Sequence, residues 1–388
     1  MSANAQVAAS ERDAAEAFQG RMLLEVSRTF ALTIPQLPKP LETSVANAYL
    51  LCRIADTIED EPALDAATKT ELQDEFLAVL TGDHSPEAFA RRSAPLLSNA
   101  SLEAERELMA ATPRVLELFR SLSEGQQASL TRCVAIMGRG MSRFQRHASR
   151  AGLRDLAETD RYCYYVAGVV GEMLTELFCE YDPAIAAHRE ELLALAPSFG
   201  EGLQLTNILK DVHEDRARGV CWLPGAEFAD HGVDLPQVSD LAAHPGFPGA
   251  MRELVGIARG HLEDALRFIL LIPPQQAGIR RFCLWAVGMA LLTLQRIQRR
   301  PGFARGQEVK ISRRSVRAVI VLTSHAARRD RWLRFLFGVA AAGLPAVPER
   351  SDRPTVSEWA MMHPVPGRVP SEWTEVACSS AQPETEQL

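Results

Sequence analysis

Aromatic side chains are scarce in this chain, 6% of its 388 residues, and no stretch alternates apolar with polar residues long enough to mark a strand. A sheet-built core is excluded. Basic excess is missing too: the net charge is −7, so nucleic acid finds no electrostatic footprint, although arginine is locally dense over residues 296–300 and 313–334. The longest apolar stretches, residues 282–294 and 335–347, run to about 13 residues each, against roughly 20 needed to span a bilayer. No transmembrane helix is expected. The first 16 residues are Ala-rich and polar without a long apolar core, so no signal peptide is expected either. The seven cysteines include no C-x-x-C pair and no short secreted framework, which fits a reducing cytoplasm. No Gly/Ser- or Pro-rich linker divides residues 15–340, which favours one domain over 15–345. Residues 346–388, dominated by Pro, Ser, Glu and Thr, read as a disordered tail.

What the chain has in abundance is Ala, Leu, Glu and Arg, with apolar residues recurring at spacings of three and four, as in residues 11–27, 68–80, 104–122 and 251–271. The class is all-α. Two acidic motifs, Asp56-Thr57-Ile58-Glu59-Asp60 and Asn207-Ile208-Leu209-Lys210-Asp211-Val212-His213-Glu214-Asp215, lie about 150 residues apart. On a helix, Asp56, Glu59 and Asp60 share one face, and Asn207, Asp211, Glu214 and Asp215 share another. One such motif alone is more often a solvated acidic face. Both, however, adjoin apolar runs, residues 48–55 and 203–209, where unpaired like charges would be costly to bury. Two clusters facing one cavity would hold Mg²⁺, which takes one or two protein carboxylates per ion and completes its shell with waters and phosphate oxygens. The implied substrate is a diphosphate.

Arg28, in Ser27-Arg28-Thr29-Phe30, and Arg53, three residues before Asp56, offer guanidinium forks for diphosphate oxygens or a phosphorylated cofactor. Between the acidic motifs runs Tyr162-Cys163-Tyr164-Tyr165-Val166-Ala167-Gly168-Val169-Val170-Gly171, whose small residues would let a helix bend or a neighbour approach closely. Its buried phenols need hydrogen-bond partners. Ser27 to Phe30, Arg53-x-x-Asp56-Thr57-x-Glu59-Asp60, Tyr162 to Gly168, and Asn207 to Asp215 followed by Trp222-Leu223-Pro224 occur in an order and at intervals that resemble the squalene/phytoene synthase family over about residues 20–325.

That resemblance implies a single-domain isoprenoid synthase helical bundle with a central cavity between the acidic motifs. It implies head-to-head condensation of two farnesyl diphosphates through a cyclopropyl (presqualene) diphosphate. Asp56, Glu59, Asp60, Asn207, Asp211, Glu214 and Asp215 would hold Mg²⁺, with Asp56, Asp60, Asp211 and Asp215 essential to catalysis and Tyr162 assisting proton removal. Arg28, Phe30, Tyr49, Arg53 and Asn207 would contact substrate. Glu308-Val309-Lys310-Ile311-Ser312-Arg313 resembles a stretch in which a lysine and an arginine two residues later bind NADPH phosphates. Lys310 matches, Ser312 replaces the arginine, and Arg313 follows at once. Arg28, Arg53 and Lys210 are further cofactor candidates, and NADH is the alternative reductant. The expected activity therefore ends in reduction to squalene. One alternative is a non-reducing phytoene- or dehydrosqualene-type synthase, against which a chain reaching through residues 310–344 speaks. Another is a non-catalytic lipid-binding or assembly module on the same fold, which could dispense with the carboxylates. A monomer is favoured. Residues 328–347, with Trp332, Leu333, Phe335, Leu336 and Phe337 beside four arginines, are expected to rest on a membrane surface as a peripheral contact of a cytoplasmic protein.

Overall fold

The computed structural model describes residues 3–27, 29–146 and 148–347, and every regular element among them is helical. A lone bridge between Leu153 and Pro224 is the exception to helix pairing there. The helices gather around Lys39–Asp60 and Arg189–Ala217, the two that carry the acidic motifs. Arg189–Ala217 packs on Phe247–Leu271, Val169–Tyr181 and Ala277–Arg299, while Lys39–Asp60 packs on Ala3–Val26, Glu124–Gln145 and Val169–Tyr181. Val169–Tyr181 thus touches both motif-bearing helices.

The sequence of Lys39–Asp60 explains its place. Pro40 opens the helix, where its missing N–H costs nothing, and Leu41, Val45, Ala48, Leu51, Ala55 and Ile58 recur at helical spacing and are buried. Leu50, Leu51, Ile54 and Ile58 are fully shielded, each contributing roughly 1.5–3 kcal/mol through burial. Asn47, also shielded, donates to Gln19 Oε1 at 3.2 Å and to the Val115 carbonyl at 2.9 Å, and so ties Ala3–Val26 and Thr112–Arg120 to the same helix.

The expected helix over 104–122 is two helices, Glu103–Ala110 and Thr112–Arg120. Pro113 accounts for the break: it has no N–H to offer the Met109 carbonyl and its ring crowds that turn, and the Thr112 hydroxyl donates to that carbonyl at 2.8 Å instead. The bend expected at Tyr162 to Gly171 takes a specific form. Tyr164–Gly168 is a π-helical turn between Leu156–Cys163 and Val169–Tyr181. Across from it Arg189–Ala217 carries Pro197 in its interior. A Cβ on Gly200 would lie 2.1 Å from the Ala167 carbonyl oxygen, and one on Gly171 would lie 2.2 Å from that of Ala196. The two irregular helices therefore touch backbone to backbone, which only glycine permits here.

Ala277–Arg299 is long and apolar enough, by length and composition, to cross a membrane, although sequence inspection expected none. Most of it is buried against the other helices, as in the core helix of a bundle. The described helices cluster as one compact unit, and the expectation for the tail falls at residues 348–388, outside the described residues.

Candidate active site

Both acidic motifs lie at the C-terminal ends of their helices. Lys39–Asp60 has Glu59 and Asp60 in its last turn and no basic residue there, and Asp211, Glu214 and Asp215 occupy the end of Arg189–Ala217. Unpaired carbonyls make a helix C-terminus partially negative, so carboxylates are disfavoured at both places. Asp56 is half-buried and Glu59 buried. Burial pushes the Asp56 carboxyl up to about 7, against the pull of Arg53 and with a push from Asp60 and Glu105. Burial likewise lifts Glu59 to about 7, with Lys69 pulling down and Asp60 and Asp56 pushing up. Glu59 Oε2 is buried without a hydrogen-bond partner. Lys69 donates to the Glu59 carbonyl, placing one cation at this helix end.

The second motif is under the same stress. Asp215 is buried, and burial raises its pKa despite Arg218, whose guanidinium lies 2.5 Å away; Asp211 and Asp60 raise it further. Asp60 belongs to the other motif. The two acidic helix ends therefore face each other closely enough to feel one another's charge.

Tyr162 stands between them. Its ring stacks on Trp222 with centroids 4.2 Å apart and planes 9° from parallel, and Phe144 meets it edge-on at 5.2 Å. Burial pushes its phenol well above the ordinary range, and Cys163, Glu59, Asp60 and Asp215 push the same way. It is a neutral phenol held between two acidic motifs. Its neighbour Tyr164 finds the partner a buried phenol requires, donating to Glu172 at 3.4 Å, and Glu172 pairs with Arg132 at 2.9 Å.

Arg53, Tyr49 and Phe30 form a group beside the first motif. The Arg53 guanidinium donates to the Tyr49 hydroxyl at 3.1 Å and lies 3.7 Å from Glu105, while its Nε has no partner. Phe30 packs on Tyr49 with centroids 5.1 Å apart. Arg28 lies outside the described residues. At the second motif Lys210 folds onto its own neighbours, reaching Asp211 at 3.0 Å and Asn207 Oδ1 at 3.3 Å. Glu214 accepts from the Gly306 backbone N–H at 2.9 Å, and a Cβ on Gly306 would lie 2.8 Å from the Lys210 carbonyl oxygen. Glu214 therefore anchors the short Gly306–Val309 helix, and with it the approach to Lys310, onto the second motif. Lys310, Arg313 and Arg314 are exposed, and among the described residues no ion pair engages them. Ser312 is the N-cap of Arg313–Ala326: its hydroxyl accepts from Ser315 N–H at 3.1 Å. That role suits serine and not arginine.

Sequence reasoning passed over Glu61. It is fully buried directly after the first motif, and its carboxylate accepts from Ser98 N–H at 2.9 Å, Ser98 Oγ at 2.6 Å and Ser101 Oγ at 2.8 Å. Burial pushes this carboxyl up, but the hydrogen bonds prevail and hold it below the ordinary value. Two more residues of the site were not expected: Arg218, legible as a cation three residues after Asp215, and Trp222, whose contact to Tyr162 no spacing in the sequence states.

Among the described residues no three acidic, His or Cys side chains converge tightly enough to cage one metal ion by themselves. The set nevertheless fits magnesium: hard oxygen donors, one orphaned carboxylate oxygen, and acids crowded enough to be lifted toward neutrality, for an ion that takes few protein ligands and fills its shell with waters and phosphate. The exposed cations at Lys310, Arg313 and Arg314, around a helix start with no acidic residue in its first turn, fit a cofactor phosphate in the same way. A cleft of about 600 Å³ lies elsewhere, between Phe247–Leu271 and Asp330–Ala341.

Residues 23–315 match the family model for squalene/phytoene synthase. The chain belongs to the squalene/phytoene synthase family. It is 31% identical over 304 residues to Botryococcus squalene synthase of Botryococcus braunii, an alignment covering 76% of this chain and 61% of that protein. It is 29% identical over 285 residues to a squalene synthase of Candida albicans, covering 72% and 61%. The chain thus matches about three fifths of the length of these relatives. Among solved structures, TcSQS with a bound ligand superposes with a TM-score of 0.68 at 20% identity, over 94% of this chain and 99% of that one. A dehydrosqualene synthase in complex with ligand gives 0.59 at 22% identity, over 80% and 96%. These likenesses agree with the all-helical isoprenoid synthase fold expected from the motifs.

Proposed function

We propose that this protein is a squalene synthase: it condenses two farnesyl diphosphates head to head through a cyclopropyl diphosphate and reduces that intermediate to squalene with NADPH. The observation that carries the reading is the opposition of two carboxylate clusters at two helix ends, with Tyr162 between them. Bound Mg²⁺ would supply Lewis-acid stabilisation of the departing diphosphate. Asp56, Glu59, Asp60, Asn207, Asp211 and Asp215 are the residues that would hold it; Glu214 is engaged by Gly306 and serves this role less directly. Arg53, aided by Arg28, would orient diphosphate oxygens, and Phe30, Tyr49, Phe144 and Trp222 would wall the allylic cation from water, their π faces favouring positive charge.

In the condensation, the double bond of the second farnesyl chain attacks the allylic cation, and loss of one proton closes the cyclopropane. The raised pKa of Tyr162 makes a standing phenolate untenable, so the phenol would take that proton while passing its own to the released diphosphate. For the reductive step Lys310 and Arg313 would pair with cofactor phosphate, Arg313 standing in for the arginine that Ser312 replaces. NADH is the alternative reductant. The six free cysteines among the described residues suit a reducing compartment such as the cytoplasm.

The capping role of Ser312 favours one second reading, a non-reducing synthase that stops at an unreduced C30 or C40 product. Mass spectrometry of the products from farnesyl diphosphate and Mg²⁺, with and without NADPH, separates the two. Squalene formed only when NADPH is present and consumed supports the first reading. A hydrocarbon formed without NADPH consumption moves the protein to the non-reducing branch.

A further inference from the structure

Val321, Leu322, Trp332, Phe335 and Val339 are half of the ten large apolar side chains left exposed among the described residues. All five lie on two consecutive helices, Arg313–Ala326 and Asp330–Ala341, which pack on each other and on Ala277–Arg299. Leu333 and Ala341 turn inward and are buried, whereas Trp332, Phe335 and Val339 are 54%, 59% and 56% exposed. Their spacing of three and four places them in one stripe. Trp332 and Phe335 meet edge to face at 5.9 Å, which pre-forms the aromatic part of the stripe. The bundle has already used the inner face of this helix, and among the described residues the outer one has no partner.

Charge decides what covers it. Residues 313–347 hold seven arginines and one acid, Asp330, a net +6 in a chain of net −7. Asp330 is already bonded to the buried guanidinium of Arg280 at 2.6 Å and does not offset the surface arginines. Arg328, Arg329, Arg331 and Arg334 are exposed beside the apolar stripe. A second copy meeting this face symmetrically would set +6 against +6, which opposes self-association. An anionic bilayer satisfies both halves: apolar and aromatic side chains enter the headgroup boundary while arginine stems lie along it with their charges at phosphate level.

We infer that the outer face of the Arg313–Ala326 and Asp330–Ala341 hairpin is a docking surface for anionic membrane. The surface expected from the sequence at 328–347 thereby gains Val321 and Leu322 from the preceding helix and loses Leu333 to the core. The attachment is superficial: the helices lie in the interface and the bundle remains outside the bilayer.

The full chain mixed with phosphatidylcholine vesicles, with and without a minority of phosphatidylglycerol, tests this by flotation, with Trp fluorescence as a second readout. Binding to the anionic vesicles with a blue shift, weakened by salt, is expected. Arg331→Gln and Arg334→Gln should each lower the partition coefficient about fivefold. Trp332→Ser with Phe335→Ser should abolish flotation while leaving helicity and turnover of soluble substrate unchanged, which separates a failed surface from a failed catalytic reading. Equal flotation with neutral vesicles would overturn the proposal. So would absence of flotation, with or without a dimer that Phe335→Ser dissolves, because the face then serves protein contact or nothing.

Discussion

In the proposed condensation Tyr162 is the residue on which the chemistry would turn, and its surroundings set what it can do. Stacked on Trp222 and pressed by acids from both motifs, it is held protonated, and in the proposed mechanism it would act by relay and not as a phenolate. Tyr162→Phe should keep the ring stack and farnesyl diphosphate binding but slow cyclopropane formation by about a hundred- to ten-thousandfold. Single-turnover quenching measures this, and a wild-type rate would leave the diphosphate as the base and Tyr162 as a wall. Asp56, a proposed metal ligand, would have the opposite balance, useful to catalysis and costly to the fold. Its pKa of about 7 means that the carboxylate opposes folding at neutral pH when no cation is bound. Asp56→Asn should therefore lose roughly a thousandfold or more in turnover, yet gain about 1–2 kcal/mol of stability as metal-free protein at pH 8. Denaturant titration with chelator present checks it; a variant less stable than wild type would mean that Asp56 is a structural acid.

At the scale of helices, the acidic motifs are held in place by residues outside them. Glu61 fastens the end of Lys39–Asp60 to the 98–101 loop, and its carboxyl is held below the ordinary value. A lowered folded-state pKa contributes stability above the unfolded value, near 4.5, that disappears as pH falls through the folded one. Glu61→Gln should thus cost about 2–3 kcal/mol at pH 7, and less as pH falls below about 4. Equal destabilisation at pH 7 and pH 3 would contradict that account. The Gly200 contact is equally specific. Gly200→Ala would press a methyl to within 2.1 Å of the Ala167 carbonyl oxygen, and should cost about 1–3 kcal/mol together with activity, since that contact seats the π-helical turn beside Tyr162. An active, undiminished variant would show the turn to be adaptable.

How far the sequence could be read follows from the range of the contacts. The acidic faces, the helical class and the small-residue bend were legible because spacing within one helix states them. The break at Ala111 was not, because apolar periodicity continues through Pro113 and conceals the lost backbone bond. The role of Glu61 was invisible because its partners lie far along the chain, and Glu214 reads as a ligand until Gly306 is seen to occupy it. Ser312, conversely, looked like a missing arginine and is a helix cap.

For the whole molecule, the proposed site would join two helix ends, and the Glu214 contact to Gly306 holds the segment leading to Lys310, proposed to meet the cofactor, against the second of them. Lys310→Ala should leave the first condensation running and weaken cofactor affinity about ten- to a hundredfold, so that the cyclopropyl intermediate accumulates at limiting NADPH. Normal squalene output under those conditions would put the cofactor elsewhere. The central claim, that both acidic motifs serve one ionisation site, is tested most directly by omitting NADPH. Labelled farnesyl diphosphate is incubated with Mg²⁺, and the C30 cyclopropyl diphosphate is quantified for wild type, Asp60→Ala and Asp215→Ala. The account predicts accumulation with the wild type and a loss of roughly a thousandfold in rate with either variant. Undiminished formation of the C30 diphosphate when one motif is disarmed would contradict it.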